Sequence, residues 1–339
     1  MGESPVNCKL VRLYRRIDNT FGIEAKANRW LEYRSEEELQ RVIPALHSER
    51  VLHVGGGSNL LFTRDFDGTV LHSGIRFVAP VAADAESVWV RVGAAIVWDD
   101  FVAYTVANGW SGAENLSLIP GEVGASAVQN IGAYGVEAKD LIDTVECVSL
   151  KDGSRRVFRN EECNYAYRSS IFKHELKGQY AVTYVTYRLK KQFVPHLEYG
   201  NLREQLGSVA TLSAADVRRK IIEVRQSKLP DPKVQGNAGS FFMNPIVSRE
   251  KFESLRAQYP QMPFYEVTDG VKIPAGWMIE QCGWKGRSLG RAGVYEKQAL
   301  ILVNRGGATG EDVVRLCETI QKDVAKKFGI EIYPEVNVI

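Results

Sequence analysis

The stretch Val51-Leu52-His53-Val54-Gly55-Gly56-Gly57-Ser58-Asn59 joins a short apolar strand to a glycine turn that is followed by two hydrogen-bond donors. Glycines let the main chain come close to a ligand, and backbone amides in such a turn can face the oxygens of a diphosphate. Leu60 stands where the dinucleotide fingerprint of the doubly wound fold has its third glycine, so that fold is not indicated. We therefore predict that Gly55 to Asn59 contact the phosphates of a nucleotide cofactor, with a plain glycine turn as the alternative.

A second glycine-rich run extends from Pro120 to Gly135. It also carries the amide side chains of Gln129 and Asn130, which can donate hydrogen bonds. Two such loops in one half of the chain suit a long dinucleotide that is held at its phosphates and at its ring. The predicted cofactor contacts in this run are Pro120, Gly121, Gly124, Gln129, Asn130, Gly132 and Ala133.

Composition excludes several classes of function. The 339 residues suggest more than one domain, because a single core seldom grows to that size. Lys and Arg total 43 against 41 for Asp and Glu, which argues against nucleic acid as a partner. None of the five histidines is paired at metal-ligand spacing, so we expect no metal centre. The scattered cysteines contain no Cys-x-x-Cys pair, which indicates reduced thiols. They are Cys8, Cys147, Cys163, Cys282 and Cys317.

The distribution of apolar residues also predicts where the protein is located. No run approaches the roughly 18 apolar residues that span a bilayer, and the first residues lack the apolar segment of a secretion signal. We therefore expect a cytoplasmic protein with no membrane partner.

Hydrophobic periodicity predicts both strands and helices around the glycine-rich loops. Alternating apolar residues indicate strands, and apolar residues three and four apart, bounded by capping residues, indicate helices. The predicted strands are 51–54, 87–92, 180–189 and 330–333, and the predicted helices are 99–108, a segment that begins at 213, and 309–329. Pro230 and Pro232 interrupt regular structure, so we place a domain boundary near residue 229.

Three further motifs complete the pattern. They are Tyr167-Arg168-Ser169-Ser170-Ile171-Phe172, Gly236-Asn237-Ala238-Gly239-Ser240-Phe241-Phe242-Met243-Asn244-Pro245 and Pro334-Glu335-Val336. A serine between glycines and phenylalanines presents a hydroxyl that can exchange a proton where water is excluded. Taken with the two glycine-rich loops, these motifs resemble the UDP-N-acetylenolpyruvoylglucosamine reductase family from about Asn19 to the C-terminus.

The resemblance implies an α+β architecture with a two-subdomain FAD-binding fold of the vanillyl-alcohol-oxidase type and a separate α+β substrate domain. The first FAD-binding subdomain would comprise residues 1–76 with 331–339, the second 77–228, and the substrate domain 229–330. The dinucleotide would be FAD, bound non-covalently, with NADPH as co-substrate. We expect a monomer.

The same resemblance implies the reaction and its catalytic residues. UDP-N-acetylglucosamine enolpyruvate would be reduced to UDP-N-acetylmuramate, a precursor of the bacterial cell wall. Hydride would reach C3 of the enolpyruvyl group from the flavin, and Ser240 would give the proton to C2. Arg168 would face the enolpyruvyl carboxylate, and Glu335 would assist at the same site.

Substrate contacts are also carried over from the family. Lys228, which lies in a basic cluster with Arg225, would hold the diphosphate. Tyr199 matches the tyrosine of a mobile loop that covers the substrate in the longer family subtype, and an ordinary loop aromatic is its alternative. The remaining predicted substrate contacts are Asn244, Lys285 and Gln298.

Two other functions stay open from the sequence. A flavin oxidase of the same fold would share both glycine-rich loops but would not need Ser240 or the cluster around Lys228. A non-catalytic protein that binds nucleotide sugars would not need a proton donor.

Overall fold

The computed structural model describes residues 11–199, 202–207 and 212–339. Its strands, in chain order, are β1 (Val11–Arg16), β2 (Lys26–Tyr33), β3 (Val51–Val54), β4 (Leu60–Leu61), β5 (Phe66–Ser73), β6 (Val78–Ala83), β7 (Ser87–Gly93), β8 (Gly132–Ala133), β9 (Val136–Glu137), β10 (Ile142–Ser149), β11 (Arg155–Arg159), β12 (Tyr180–Lys190), β13 (Asn237–Ser240), β14 (Ile246–Val247), β15 (Tyr265–Val267), β16 (Gly270–Lys272), β17 (Ser288–Leu289), β18 (Ala292–Val294), β19 (Ile301–Asn304) and β20 (Asn337–Val338). Its α-helices are α1 (Glu36–Leu46), α2 (Trp98–Ala107), α3 (Val123–Gln129), α4 (Leu202–Leu206), α5 (Ala214–Lys228), α6 (Arg249–Gln258), α7 (Ala275–Gln281) and α8 (Gly310–Phe328). Short 3₁₀ turns occupy Glu114–Leu116, Ala138–Asp140, Asn160–Cys163 and Ile171–Lys173.

The chain divides into two compact units. The first contains the segment up to Arg16 together with Lys26–Gly56 and Phe66–Arg225. The second contains Ile17–Ala25, Gly57–Asp65 and Gln226–Ile339. The division into three domains that the sequence suggests is finer than this one, and it stays a prediction.

Two sheets form the framework of the first unit. One has the strand order β1-β2-β5-β3, in which β5 runs parallel to both of its neighbours. The other is antiparallel throughout, in the order β11-β10-β12-β7-β6. Because β3 ends at Val54, the first sheet delivers the chain into Gly55 at the carboxyl end of a parallel strand.

An aromatic core fixes α2 and α3 against β12. The rings of Trp98, Phe101 and Tyr187 are fully buried, with centroids 4.8–5.7 Å apart. The hydroxyl oxygens of Tyr187 and Ser126 are 2.8 Å apart, which joins β12 to α3. This core holds the segment between the two helices, where the second glycine-rich run begins.

The second unit contains an antiparallel sheet, β13-β19-β18-β17, a three-stranded sheet, β14-β16-β15, and the parallel pair β20-β4. Helix α8 begins at a reciprocal cap in which the Asp312 amide donates to Thr309 Oγ1 at 3.2 Å and the Thr309 amide donates to Asp312 Oδ2 at 3.0 Å. It ends at Gly329, whose φ is +60°. These are the boundaries that the sequence predicts.

The other predicted elements are confirmed with one exception. The strands at 51–54, 87–92 and 180–189 correspond to β3, β7 and β12, and the helices at 99–108 and from 213 correspond to α2 and α5. The strand predicted at 330–333 is wrong. The Ile332 carbonyl accepts a hydrogen bond from the Gln321 side chain. The Tyr333 carbonyl accepts one from the Met243 amide, which belongs to an isolated bridge between Phe242 and Pro334, so 330–333 forms no continuous ladder. The strand of the tail is β20, which pairs with β4.

Cys8 lies outside the described residues, and the other four cysteines are free. No helix in the described ranges is long and apolar enough to cross a membrane. Within those same ranges, no group of three or more His, Cys, Asp or Glu side chains could hold a metal ion.

Candidate active site

The two glycine-rich loops meet in the first unit. A Cβ added at Gly56 would lie 3.6 Å from Gly121 Cα, and one added at Gly55 would lie 3.3 Å from Ala125 Cβ. The Gly121 carbonyl accepts a hydrogen bond from the Trp98 amide at 3.0 Å, which anchors the second loop to the start of α2. Because Gly55, Gly56 and Gly121 have no side chains, their main chain is left uncovered where the two loops meet. Such a surface fits a diphosphate, because its oxygens can approach backbone amides directly.

The rest of the first loop belongs to the second unit. Gly57 has φ +67°, and a Cβ there would lie only 2.3 Å from the carbonyl oxygen of Asp18, so no other residue fits. The Ser58 carbonyl accepts a hydrogen bond from the Thr20 hydroxyl at 3.4 Å. Asn59 Nδ2 donates to the carbonyl of Glu335 at 3.2 Å. Asn59 thus secures the C-terminal segment, and the cofactor contacts of Ser58 and Asn59 stay predictions.

Helix α3 follows the exposed Pro120 and leaves few amides for a ligand. The Val123 amide donates to the Ile96 carbonyl at 2.9 Å, and the Gly124 amide donates to the Ala94 carbonyl at 3.0 Å. A Cβ at Gly124 would lie 2.8 Å from Ala94 Cβ, so glycine is required for this close packing. The structure therefore gives Gly124 a packing role, and a phosphate contact from its amide is not needed to explain it.

Asn130 organises the second loop from the protein interior. It is fully buried and left-handed, with φ +48°. Its side-chain nitrogen donates to Glu137 Oε2 at 3.0 Å and to the Ala166 carbonyl at 2.8 Å, and its Oδ1 accepts from the Lys139 amide at 3.0 Å. Because these bonds use its amide within the protein, the structure supports a structural role for Asn130; its cofactor contact stays a prediction.

Arg168 occupies a tight turn beside that loop. The flanking residues Ala166 and Ser169 exchange two main-chain hydrogen bonds, of 3.2 and 3.0 Å. Arg168 itself has φ +53°, the left-handed region that side-chain-bearing residues disfavour. Its Nη2 donates to the carbonyl of Gly132 at 2.7 Å, which links it to β8, formed by Gly132 and Ala133. The structure thus brings the predicted carboxylate-binding arginine next to the second glycine-rich loop.

Tyr199 and Arg225 both lie near Tyr134, which follows β8. The Tyr134 and Tyr199 rings meet edge to face at 6.2 Å, and Tyr199 is 43% exposed. Arg225 Nε is buried and has no hydrogen-bond partner in the described part of the chain. Burial lowers the pKa of Arg225, and the charge of Asp99 partly offsets this effect. A guanidinium whose buried Nε has an unused donor fits an anionic ligand.

Ser240 and Glu335 come together in the second unit. Ser240 ends β13 and is exposed, and its hydroxyl makes no hydrogen bond to any residue that the structure describes. Gly239 before it has φ +70°, and Phe241 after it is buried. The Glu335 amide donates to the Phe241 carbonyl at 2.8 Å. The tail therefore runs alongside the serine loop.

The remaining predicted substrate residues are placed in the second unit. Lys228 is the exposed last residue of α5. Asn244 Oδ1 accepts from the first amide of α7 at 2.9 Å. Gln298 Oε1 accepts from an amide two residues on at 3.3 Å, and Lys285 Nζ lies 2.9 Å from the Glu280 carboxylate. Each of these last three residues therefore also has a partner within the protein, and their substrate contacts stay predictions.

A histidine pair beneath the first loop was missed by sequence reasoning. His72 Nε2 lies 3.2 Å from Glu122 Oε1, and Glu122 Oε2 would lie 3.3 Å from a Cβ at Gly55. His53 Nε2 lies 3.0 Å from the Tyr33 hydroxyl. Burial, helped by the charge of His72, lowers the pKa of His53 to about 4. His53 is therefore neutral at pH 7; its place two residues before Gly55 was the available signal.

Lys173 is a second residue that the motifs did not single out. Its Nζ donates to Gln129 Oε1 at 2.8 Å and to the carbonyl of Arg168 at 2.8 Å. It thereby joins a residue of the second glycine-rich loop to the arginine turn. Only its spacing of five residues from Arg168 could have marked it in the sequence.

Comparisons with known proteins agree on one family. A model described as the C-terminal domain of UDP-N-acetylenolpyruvoylglucosamine reductase matches residues 231–339, and an FAD binding domain matches residues 28–159. The chain is 58% identical over 323 residues to the UDP-N-acetylenolpyruvoylglucosamine reductase of Bacteroides fragilis, covering 95% of this chain and 97% of that protein. It is 51% identical to the Porphyromonas gingivalis protein of the same name, covering 95% and 96%.

A solved structure has a similar fold over nearly the whole chain. The crystal structure of the Thermus caldophilus enzyme of that name matches with a TM-score of 0.68 at 23% identity, over 97% of this chain and 99% of that one. Together with the matched FAD binding domain, this similarity confirms the α+β FAD-binding fold predicted from the sequence.

Proposed function

The chain belongs to the UDP-N-acetylenolpyruvoylglucosamine reductase family, and on that premise we propose that it reduces UDP-N-acetylglucosamine enolpyruvate to UDP-N-acetylmuramate with NADPH. Its cofactor is FAD, since the matched FAD binding domain, residues 28–159, contains both glycine-rich loops. We propose that the FAD is held without a covalent bond. The product would feed the synthesis of peptidoglycan. A cytoplasmic location is part of the proposal, supported by the four free cysteines of the described chain.

The main chain of Gly55, Gly56 and Gly121 would hold the diphosphate of the cofactor. Bound FAD, once reduced by NADPH, would supply the hydride that C3 of the enolpyruvyl group receives. The Gln129 amide and the main chain near Gly132 would complete the binding of the cofactor. These assignments are supported by the meeting of the two loops over glycines.

Ser240 would supply the proton that C2 must receive once C3 has taken the hydride. The supporting observation is that its exposed hydroxyl makes no hydrogen bond within the described chain, so it can turn toward a bound substrate. The left-handed Gly239 and the buried Phe241 fix the main chain on either side. A serine is a weak acid, so its transfer of a proton depends on the negative charge that develops at C2.

Arg168 and Glu335 would stabilise that charge. After the hydride arrives, C2 and the adjacent carboxylate share negative charge as an enolate. A guanidinium stays ionised at any working pH and can bind both carboxylate oxygens, which lowers the barrier. Glu335 would assist in its protonated form, donating a hydrogen bond. The observation that carries this part is the 2.8 Å bond between the Glu335 amide and the Phe241 carbonyl, next to Ser240.

The sugar nucleotide would be recognised through its diphosphate. Lys228 is exposed, and Arg225 has a buried Nε without a hydrogen-bond partner in the described part of the chain. Ammonium and guanidinium groups form strong, charge-assisted hydrogen bonds to phosphate oxygens. Tyr199, which is partly exposed, would cover the bound substrate.

The function can be tested with purified holoprotein under anaerobic conditions. We expect NADPH to bleach the flavin absorbance, and the enolpyruvyl sugar nucleotide to restore it with formation of the lactyl ether, identified by mass spectrometry. Absence of substrate-dependent reoxidation would contradict the proposal. Turnover of an alcohol with oxygen alone would instead identify a flavin oxidase.

A further inference from the structure

Lys173 bridges two parts of the candidate active site in the first unit. It ends the 3₁₀ turn Ile171–Lys173, and its partly buried ammonium donates to Gln129 Oε1 and to the carbonyl of Arg168, each at 2.8 Å. Gln129 closes α3, in the second glycine-rich loop. Two of the three N–H donors of the ammonium therefore bond residues that have proposed roles in binding the cofactor and the substrate.

The turn that Lys173 holds is strained. Arg168 has φ +53°, and a non-glycine residue stays in this region only where its surroundings hold it. Its guanidinium is held by the carbonyl of Gly132 at 2.7 Å, and the neighbouring Ala166 carbonyl is held by the Asn130 side chain at 2.8 Å. Lys173 holds the carbonyl of Arg168 itself. Without that bond, the turn could relax and carry the guanidinium away from its place.

We propose that Lys173 is a positioning residue. It keeps Arg168 in the left-handed turn and holds the main chain of Arg168 close to the Gln129 side chain. This inference rests on the proposed function, because it takes Arg168 to be the group that meets the substrate carboxylate. Lys173 acts through Arg168 and does not itself touch the reacting atoms. Its effect should therefore vanish when the Arg168 side chain is removed.

The test uses holoprotein of four kinds beside the parent: Lys173→Met, Lys173→Arg, Arg168→Ala and the double variant Lys173→Met with Arg168→Ala. Lys177→Met is the matched control, because Lys177 is an exposed lysine four residues on. Reoxidation of reduced flavin by the enolpyruvyl substrate is followed by stopped flow. FAD affinity is measured by fluorescence titration, and the holoprotein of Lys173→Met is crystallised to read the φ of residue 168.

Loss of a hydrogen bond from a charged donor predicts that Lys173→Met slows reoxidation about 10- to 100-fold, with partial recovery in Lys173→Arg. In the Arg168→Ala background the same substitution should change the rate less than about twofold, since the two residues act as one unit. The crystal structure should show residue 168 outside the left-handed region. Lys177→Met should match the parent.

Three outcomes would overturn the inference. The first is a Lys173→Met rate equal to that of the parent, and the second is an undiminished effect in the Arg168→Ala background. The third is a loss of FAD affinity that accounts for the whole decrease in rate. If the parent protein itself fails to react with the enolpyruvyl substrate, the proposed function fails, and the crystal structure of Lys173→Met still decides whether Lys173 holds the turn.

Discussion

Removal of the Ser240 hydroxyl should slow the reaction without destabilising the fold. Ser240 is exposed, its hydroxyl has no hydrogen-bond partner within the described chain, and its pairing with Ile301 uses only main-chain atoms. Ser240→Ala should therefore change the free energy of unfolding by less than about 0.5 kcal/mol, as expected for a surface substitution. Loss of a general acid should slow proton transfer about 10²–10⁴-fold, equivalent to about 3–5 kcal/mol in the activation free energy.

Two measurements check this prediction. Urea unfolding compares the stability of Ser240→Ala with that of the parent and of Ser254→Ala, an exposed serine in α6 that serves as the matched control. Stopped-flow absorbance then measures flavin reduction by NADPH and reoxidation by the enolpyruvyl substrate. We expect parent-like reduction and slow reoxidation in Ser240→Ala alone. Reoxidation at the parent rate, or a stability loss above about 2 kcal/mol, would refute the reasoning.

Substitutions at four other positions give further predictions. Lys228→Ala should raise the KM for the sugar nucleotide about tenfold and reduce its dependence on salt, measured by steady-state kinetics; an unchanged KM would exclude a phosphate contact. Glu335→Gln should retain far more activity than Glu335→Ala, because the amide can still donate a hydrogen bond; equal losses would count against this role. His53 has a pKa of about 4 in the fold and about 6.5 unfolded, so stability falls as pH drops from 6.5 to 4, and His53→Gln should remove up to about 3 kcal/mol of that fall in urea unfolding. Gly236→Ala should destabilise by at least about 2 kcal/mol, since its Cβ would lie 2.1 Å from a main-chain oxygen; an unchanged melting temperature would contradict this.

Elements whose signals are local were predicted well from the sequence. Helix α8 begins at the Thr309 cap and ends at Gly329, and both signals lie within a few residues of the boundary they set. The tail illustrates the opposite case. The alternation of 330–333 suggested a strand, but a strand also needs a neighbour to complete its hydrogen bonds. In the tail it is β20 that finds such a neighbour, in β4, and no local pattern reveals this choice.

The candidate site shows the same limit at the level of single residues. The motifs singled out Asn59 and Asn130 as donors in glycine-rich loops, yet each has a role in holding the fold. Asn59 bonds a residue 276 positions away, and Asn130 bonds Ala166 across 36 positions. An amide side chain in a loop has the same appearance in the sequence whether it faces a ligand or a distant carbonyl. Lys173 was not predicted for the same reason, since nothing in the sequence shows that it contacts Gln129 and Arg168.

The tail shows how a residue close to the end of the chain can have a fixed position. Main-chain bonds hold it on both sides of Glu335: its amide donates to Phe241 at 2.8 Å, and its carbonyl accepts from Asn59 at 3.2 Å. Farther on, the Ile339 amide donates to the Leu61 carbonyl at 2.9 Å. None of these bonds uses the Glu335 side chain. Substitution there should therefore leave the backbone in place, so a difference between glutamine and alanine at this position reports on the chemistry of the side chain.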